Sequence, residues 1–199
     1  ADFQKNQKDR SFFASDIGHI EEYIRQIVTK AKAKGFTPQD IQVLAPMYRG
    51  AAGIDALNKM MQEIFNSNDG KKKEVKWNDT VYRIGDKVLQ LVNTPELNVF
   101  NGDMGEIVGI TLAKDSEDKV DELVLQFDNN EVTYKRNEWN KITLSYCCSI
   151  HKAQGSEFRM VLLPMVHQYS RMLQRNLLYT AVTRSKELLI LLGEVSAFE

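Results

Sequence analysis

The stretch Cys147-Cys-Ser-Ile-His-Lys-Ala-Gln-Gly-Ser-Glu-Phe-Arg-Met-Val-Leu-Leu163 places a short polar turn between two apolar runs. The first run starts near Ile142, and short apolar runs bounded by turn signals predict buried strands. A helical pattern follows over residues 168–185, and a last apolar run covers residues 188–192. The helix should pack on the sheet through Leu173, Leu177, Leu178, Ala181 and Val182. Strand, helix and strand in this order predict a parallel α/β sheet.

The same alternation occurs in the first third of the chain. Residues 16–34 carry an apolar helical stripe, with Asp16 as a candidate cap and Gly35 at the end. Residues 41–45 form an apolar run that Pro46 stops, which predicts a buried strand, and residues 54–65 form a second amphipathic helix. Helices and strands therefore alternate in the α/β manner here as well.

The middle of the chain has a different character. Short β-rich runs occur at residues 80–84, 87–92, 105–112, 122–127 and 131–135, separated by turns such as Asn101-Gly102. Short strands joined by turns predict a small barrel. The predicted organisation is an α/β domain over residues 1–72 and 142–199, interrupted by an inserted small β-barrel over residues 73–141.

Composition and charge limit the possible functions. Of the 199 residues, 43% are hydrophobic and 27% charged, and the formal net charge is -1, which excludes a uniformly basic surface. Cys147 and Cys148 are adjacent and are the only cysteines, so we expect plain strand residues and no metal site. No stretch approaches the roughly 18 apolar residues of a membrane span, and no leader pattern is present. These features predict a cytoplasmic protein with no membrane partner, and the abrupt start predicts a fragment of a longer one.

A phosphate-binding loop of the pattern G-x-x-x-x-G-K-[ST] does not occur in the sequence. The nearest candidate, Asp69-Gly-Lys-Lys72, lacks the first glycine and the hydroxyl residue. If the chain takes part in nucleotide chemistry, it therefore supplies half of an active site.

The polar turn is the strongest candidate for a site. Hydrogen-bonding or charged side chains crowd around Gly155, namely His151, Lys152, Gln154, Ser156 and Glu157. Taken singly, His151 could be a capping or core histidine and Glu157 a surface carboxylate. Because ligands of α/β sheets bind beyond the carboxyl ends of strands, the crowding of these groups next to a strand favours a site.

Two arginines are candidates for contacts with a phosphate. Arg49 lies between a strand and a helix N-terminus, a place suited to anions, although a solvated loop arginine is the alternative. Arg184 ends the last predicted helix and could act as an arginine finger, which stabilises transition-state charge in phosphoryl transfer. The alternative for Arg184 is an arginine favoured by the helix dipole.

The predicted barrel offers weaker signals. The loop Asn98-Val-Phe-Asn-Gly-Asp103 combines an aromatic residue with amides, a composition that binders of single-stranded nucleic acid use. Basic residues also lie close in sequence to aromatic residues in this region. The basic residues are Lys71 to Lys73, Lys76 and Arg83, and the aromatic residues are Trp77 and Tyr82. The alternative is that these aromatic residues belong to the barrel core.

Four segments together resemble the C-terminal part of a RecD-like helicase, in the superfamily 1 group that also contains TraA-type enzymes. Leu44-Ala-Pro-Met-Tyr-Arg-Gly50 is similar to motif IV, and Gln90 through Phe100-Asn-Gly-Asp103 to the segment that crosses the small barrel. Ser149-Ile-His-Lys-Ala-Gln-Gly-Ser-Glu157 is similar to motif V and Leu178-Tyr-Thr-Ala-Val-Thr-Arg184 to motif VI. The resemblance implies a second RecA-like domain that carries an inserted Src-homology-3-like barrel.

The resemblance also implies roles for residues around the nucleotide. Arg49 and Arg184 would contact the γ-phosphate, with Arg184 as the arginine finger. Gln154, Gly155 and Glu157 would lie beside the nucleotide, with Glu157 toward the ribose.

On the nucleic-acid side, Ser149 and His151 would contact DNA, and Asn101 would lie on the barrel surface that faces the strand. The chain has Ser149 and Ala153 where relatives often have threonine and serine. The loss of the second hydroxyl argues against a nucleic-acid contact at Ala153.

The implied parent protein is an ATP-dependent DNA helicase of repair or recombination. ATP with Mg²⁺ would bind jointly to this chain and to an N-terminal RecA-like domain with the phosphate loop, and the nucleic-acid partner would be single-stranded DNA or a duplex junction. The chain alone would be inactive.

One alternative is a non-catalytic nucleic-acid-binding or protein-interaction module. Another is a self-sufficient hydrolase that uses Gly50-Ala-Ala-Gly53, although this loop lacks a lysine and a magnesium-binding hydroxyl.

Overall fold

The structure, a computed structural model, describes residues 19–46, 48, 50, 52–153, 155–165 and 171–193, and the backbone of residues 10–14. The strands are β1 (Arg10–Ala14), β2 (Ile41–Leu44), β3 (Glu74–Trp77), β4 (Thr80–Arg83), β5 (Lys87–Gln90), β6 (Met104–Thr111), β7 (Glu122–Phe127), β8 (Glu131–Lys135), β9 (Ile142–Leu144), β10 (Cys147–Cys148), β11 (Phe158–Met165) and β12 (Ser185–Gly193). The α-helices are α1 (Ile20–Ala33), α2 (Ile54–Phe65) and α3 (Arg171–Arg184).

The chain divides into two compact units. The α/β unit comprises Ala1–Phe65 and Tyr146–Glu199, and the barrel unit comprises Asn66–Ser145. In the α/β unit, a parallel sheet has the strand order β1-β12-β11-β2-β10. Strand β2 is buried along its whole length, as expected for a strand covered on both faces.

Helix α1 follows its sequence pattern. Its buried residues are Ile20, Ile24, Val28 and Ala31, which recur three or four positions apart and form one face. Acidic residues occupy the first turn and lysines the last turn, the arrangement that the helix dipole favours. The helix ends at Ala33, and Gly35, two residues later, takes a φ of 97°. The predicted cap Asp16 lies outside the described residues.

Helix α3 is buried along a narrower stripe than its sequence suggests. Only Leu177 and Ala181 of its described side chains are buried, whereas Leu173 and Leu178 are half-buried. The prediction that Val182 packs on the sheet is wrong, because its side chain is 38% exposed. A large part of the helix surface is therefore open to solvent in this chain.

The barrel unit contains an antiparallel sheet in the order β8-β7-β6-β5-β9 and the separate hairpin β3–β4. Trp139 lies at its centre with no exposed surface. The indole N–H of Trp139 donates to the carbonyl of Tyr134 at 2.9 Å, and its ring meets the ring of Tyr82 edge to face. Tyr82 is therefore a core residue, and burial raises the pKa of its hydroxyl above the ordinary value.

The apolar run of residues 142–148 is not one strand. Ile142–Leu144 pairs with β5 in the barrel unit, and Cys147–Cys148 pairs with β2 in the α/β unit. At the other end, the side-chain amide of Asn66 donates to Asp86 at 2.8 Å inside the barrel unit. The inserted unit therefore includes more residues at both ends than the predicted range 73–141, since it covers Asn66–Ser145.

The two residues that flank the insertion are in contact. Phe65 ends the first segment of the α/β unit and Tyr146 begins the second. Their rings stack with centroids 6.3 Å apart and an interplanar angle of 6°. The chain thus leaves the α/β unit and returns to it at one place.

Within the described residues, none of the helices combines the length and hydropathy of a membrane-spanning segment.

Candidate functional site

The polar turn of residues 149–157 leads from the carboxyl end of strand β10 to the amino end of strand β11. Cys148, just before the turn, pairs with Leu44 at the carboxyl end of β2, whereas Met160, soon after it, pairs with Ile41 at the amino end. Strand β11 begins at Phe158, which pairs with Ser185 at the start of β12. The turn therefore starts at the carboxyl end of β2, the side on which the sequence predicts a site. Its end lies at the amino ends of β11 and β12, beside Arg184.

The turn is built from two tight reversals. The backbone N–H of Lys152 donates to the carbonyl of Ser149 at 3.1 Å, and the N–H of Ser156 donates to that of Ala153 at 3.2 Å. Ile150 and Ala153 are 5% and 0% exposed, so they anchor the turn in the core. His151 and Gly155 are exposed. Gln154 lies outside the described residues.

Gly155 adopts a φ of 85°, a conformation that glycine takes without strain. An added Cβ would meet no atom within 4 Å, so the cost of alanine here is backbone strain alone. We expect Gly155→Ala to lower the free energy of unfolding by about 1–2 kcal/mol. Chemical denaturation measures this loss. Gly35→Ala is the matched control, because Gly35 has a φ of 97° and equally open space. A much larger loss in Gly155→Ala than in Gly35→Ala would contradict the description of the turn.

Asn58 of helix α2 holds the strand that leads into the turn. The backbone N–H of Cys147 donates to Asn58 Oδ1 at 2.8 Å, and Asn58 Nδ2 donates to the carbonyl of Cys147 at 3.0 Å. Because β10 is the edge of the sheet, the amide takes the hydrogen bonds that a further strand would make. Asn58 is 5% exposed, and both cysteines are buried free thiols.

The sequence alone does not predict the role of Asn58. One signal was present, since an amide interrupts the apolar face of the helix between Leu57 and Met61. A buried polar residue on such a face needs a hydrogen-bond partner, but the sequence does not show which one.

Arg184 reaches from the end of α3 to the turn. Its Nη1 donates to the carbonyl of Ser156 at 3.2 Å, and its Nε donates to Thr183 Oγ1 at 3.4 Å. Among the described residues, no carboxylate forms an ion pair with its guanidinium. The partners of the charge that the described part of the chain supplies are therefore two neutral oxygen atoms.

A pocket of about 390 Å³ lies between the turn and α3. Helix α3 contributes one stripe, whose members are three or four residues apart, and the turn contributes the opposite wall. The lining residues are Ile150, His151, Gly155, Asn176, Tyr179, Thr180, Thr183 and Arg184. Three of the predicted site residues, His151, Gly155 and Arg184, are thus brought together.

Other predicted residues lie apart from the pocket. Glu157 is exposed at the end of the turn, where its Oε2 lies 3.5 Å from Lys186 Nζ. Ser149 is half-buried at the start of the turn. Arg49 lies outside the described residues, but its loop follows β2, and the N–H of Ala45 donates to the carbonyl of Cys148 at 3.1 Å. The Arg49 loop and the turn therefore start side by side.

Asn101 belongs to a braced loop of the barrel unit. Its backbone N–H donates to Asn93 Oδ1 and the N–H of Phe100 donates to Asp103 Oδ2, both at 2.9 Å. The N–H of Gly102 donates to the carbonyl of a buried glutamine in β5 at 2.8 Å. This bracing leaves Asn101 exposed and Phe100 42% exposed. The loop thus presents an aromatic ring and an amide on a fixed backbone.

Two family models match the chain. Residues 57–127 match the SH3 domain of the ATP-dependent RecD-like DNA helicases, and residues 144–192 match the UvrD-like helicase C-terminal domain. The chain is 35% identical over 162 residues to the ATP-dependent RecD2 DNA helicase of Deinococcus radiodurans, covering 81% of this chain and 21% of that protein. It is 27% identical over 192 residues to the RecBCD enzyme subunit RecD of Buchnera aphidicola, covering 90% of this chain and 29% of that protein. The chain thus spans less than a third of the length of these curated relatives.

Solved structures share the fold. The Pif1 helicase from Bacteroides in complex with ADP-AlF3 and ssDNA aligns with a TM-score of 0.54 at 16% identity, covering 88% of this chain and 47% of that one. Bacteroides Pif1 bound to ssDNA aligns with a TM-score of 0.51 at 14% identity, covering 92% and 48%.

The parallel sheet, the inserted barrel and the two domain matches define the C-terminal domain of a superfamily 1 helicase. Within that class, the chain belongs to the RecD-like helicases, as a segment of their C-terminal part. The resemblance found from the four motifs is confirmed. The predicted fold class, a RecA-like domain interrupted by a small Src-homology-3-like barrel, is confirmed as well.

Proposed function

We propose that the chain is the C-terminal motor segment of an ATP-dependent DNA helicase, and that Arg184 is its arginine finger. The observation that carries this proposal is the guanidinium of Arg184, which lines a pocket and has no carboxylate partner among the described residues. A phosphate binds a guanidinium more strongly than the neutral carbonyl of Ser156 does, because both partners are then charged and two parallel hydrogen bonds can form. Arg184 is therefore free to exchange its present partner for a γ-phosphate.

The nucleotide would bind jointly to this chain and to an N-terminal RecA-like domain with the phosphate loop. The sequence of this chain has no such loop, and the relative named as an ATP-dependent RecD2 DNA helicase is several times longer. In this arrangement the other domain holds Mg²⁺ and most phosphate oxygens. Gln154, Gly155 and Glu157 lie beside the nucleotide, and Arg49 is the second contact to the γ-phosphate. Glu157 would exchange its ion pair with Lys186 for the ribose.

The open face of α3 supports such a partner domain. Met172 and Tyr179 are 74% and 73% exposed, and Val182 is 38% exposed. These side chains project from the side of the helix opposite Leu177 and Ala181. Large apolar side chains grouped on one side of a helix are typical of a surface that another domain covers.

Single-stranded DNA, alone or at a duplex junction, is the proposed nucleic-acid partner. Ser149 and His151 would contact it from the start of the turn, and Asn101 from the barrel unit. The nine residues of the turn would join this DNA contact to the nucleotide contact at Gly155 and Glu157. A ligand can shift a conformation only through different contacts in the two states, and one turn that carries both contacts meets this requirement. Closure of the nucleotide site would then shift the grip on DNA.

Steady-state ATP hydrolysis tests the proposal. The assay compares this chain alone with the full-length protein, meaning this chain joined to the proposed phosphate-loop domain, each with and without single-stranded DNA. We expect turnover stimulated by DNA in the full-length protein only. Turnover by the chain alone would instead support a self-sufficient hydrolase. A full-length protein that binds DNA without hydrolysing ATP would support a non-catalytic binding module.

A further inference from the structure

An arginine finger at the end of a helix needs something to fix its direction, because the side chain has several rotatable bonds. Arg184 is the last residue of α3 and is half-buried. The residue before it, Thr183, lines the same pocket and has no role in the proposed function described so far. Its hydroxyl is a side-chain hydrogen-bond partner of the guanidinium, at 3.4 Å from Nε.

Two consecutive hydrogen bonds link Arg184 to Thr183 and Thr183 to Thr180. The Nε–H of Arg184 donates to Thr183 Oγ1 at 3.4 Å, and the Thr183 hydroxyl donates to the backbone carbonyl of Thr180 at 2.9 Å. A hydroxyl has one donor and two acceptor positions, so it can fill both roles at once. The bond to Thr180 fixes the hydroxyl, and the fixed oxygen then sets the orientation of Nε.

A second anchor acts on a different nitrogen. The Nη1 of Arg184 donates to the carbonyl of Ser156 at 3.2 Å. Because the guanidinium is planar, contacts at both Nε and Nη1 fix its plane. The Nη2 group has no partner among the described residues, and the pocket that Arg184 lines is the space available to a ligand.

We infer that Thr183 is a positioning residue for the arginine finger. The inference rests on the proposed function of Arg184. Before ATP arrives, Thr183 and Ser156 hold the guanidinium plane, and when the γ-phosphate binds, the bond to Thr183 persists while the carbonyl of Ser156 is released. Thr183 itself touches no reacting atom.

A purely structural role is the alternative, since a hydroxyl bonded to the carbonyl three residues earlier is common near helix ends. The two roles make different predictions. A structural role changes the stability of α3, whereas a positioning role changes the chemical step and depends on the nitrogen Nε of residue 184.

The test measures kcat and KM for ATP in the full-length protein with saturating single-stranded DNA. Thr183→Val keeps the shape and removes the hydroxyl, and we expect kcat to fall about ten-fold with KM nearly unchanged, the size expected for one hydrogen bond to a charged group. Thr183→Ser keeps the hydroxyl and should stay within about two-fold of the wild type, since the same hydrogen bond is present. In an Arg184→Lys background, Thr183→Val should have no further effect, because lysine has no Nε–H group to position.

Each outcome separates the two claims. If Arg184→Ala abolishes turnover while Thr183→Val leaves kcat unchanged, Thr183 is not a positioning residue, and the proposed function stands. Equal losses in the valine and serine variants, or a change in KM alone, would also overturn the inference. If Arg184→Ala leaves turnover unchanged, the proposed function of Arg184 fails and this inference fails with it. Thermal unfolding of each variant shows whether a loss of kcat has a structural origin.

Discussion

Replacing Arg184 by alanine is expected to lower kcat for ATP hydrolysis in the full-length protein by on the order of 10³ to 10⁵-fold, the range found for arginine fingers. The reason is the loss of the one charged group that lines the pocket between the turn and α3 without a carboxylate partner in the described structure. Because the charge acts mainly in the transition state, the loss should fall on kcat more than on KM. Steady-state kinetics with saturating DNA measures both constants.

Arg25→Ala is the matched control for this prediction. Arg25 lies on α1, and its Nε is 3.3 Å from Glu22 Oε2 in an exposed ion pair. Its removal should leave kcat unchanged, since exposed pairs of this kind contribute little to stability. Arg184→Lys keeps the charge but not the forked geometry, and it should retain only a small part of the activity. An Arg184→Ala protein that hydrolyses ATP at the wild-type rate would exclude Arg184 from the mechanism.

Replacing Asn58 by alanine is expected to lower the free energy of unfolding of the α/β unit by about 2–4 kcal/mol. The substitution removes both hydrogen bonds to the backbone of Cys147 and leaves a buried N–H and a buried C=O without these partners. Denaturation followed by ellipticity at 222 nm measures the loss, because all three α-helices of the described chain lie in the α/β unit. Tryptophan fluorescence follows the barrel unit in the same sample, because both tryptophans, Trp77 and Trp139, lie there.

Lys59→Ala provides the control for Asn58→Ala. Lys59 is the next residue of the same helix and is exposed, so its removal should change stability by less than about 0.5 kcal/mol. An Asn58→Ala protein with the same ellipticity transition as the Lys59→Ala protein would show that the amide does not hold strand β10.

The sequence was sufficient for the fold class because both kinds of signal in it are local. Apolar spacing of three and four residues marks α1 and α2, and turn residues between β-rich runs mark the insertion. The polar turn was found for a similar reason, since its chemically unusual residues are consecutive. The motifs then identified the helicase family, because they occur together and in order.

What the sequence did not show depends on pairing between distant segments. The contact of Asn58 with Cys147 joins residues 89 positions apart, and no local pattern announces it. The run of residues 142–148 looks continuous, although its two halves pair with different sheets. Arg184 lies at the amino end of β12 because of the register in which β11 and β12 pair. The spacing of apolar residues in the sequence does not reveal that register. The residue types around Asn101 indicate a loop in the barrel unit. They do not indicate the hydrogen bonds that hold the backbone of this loop.

The stacked rings of Phe65 and Tyr146 mean that the inserted unit could be removed or replaced by protein engineering. Since their centroids are 6.3 Å apart, a linker of a few residues would be long enough to join the two positions directly. The α/β unit thus has a splice point between Phe65 and Tyr146, where another segment with closely spaced ends could replace the insertion. The inserted unit could therefore be replaced by another module while the parallel sheet of the α/β unit is kept.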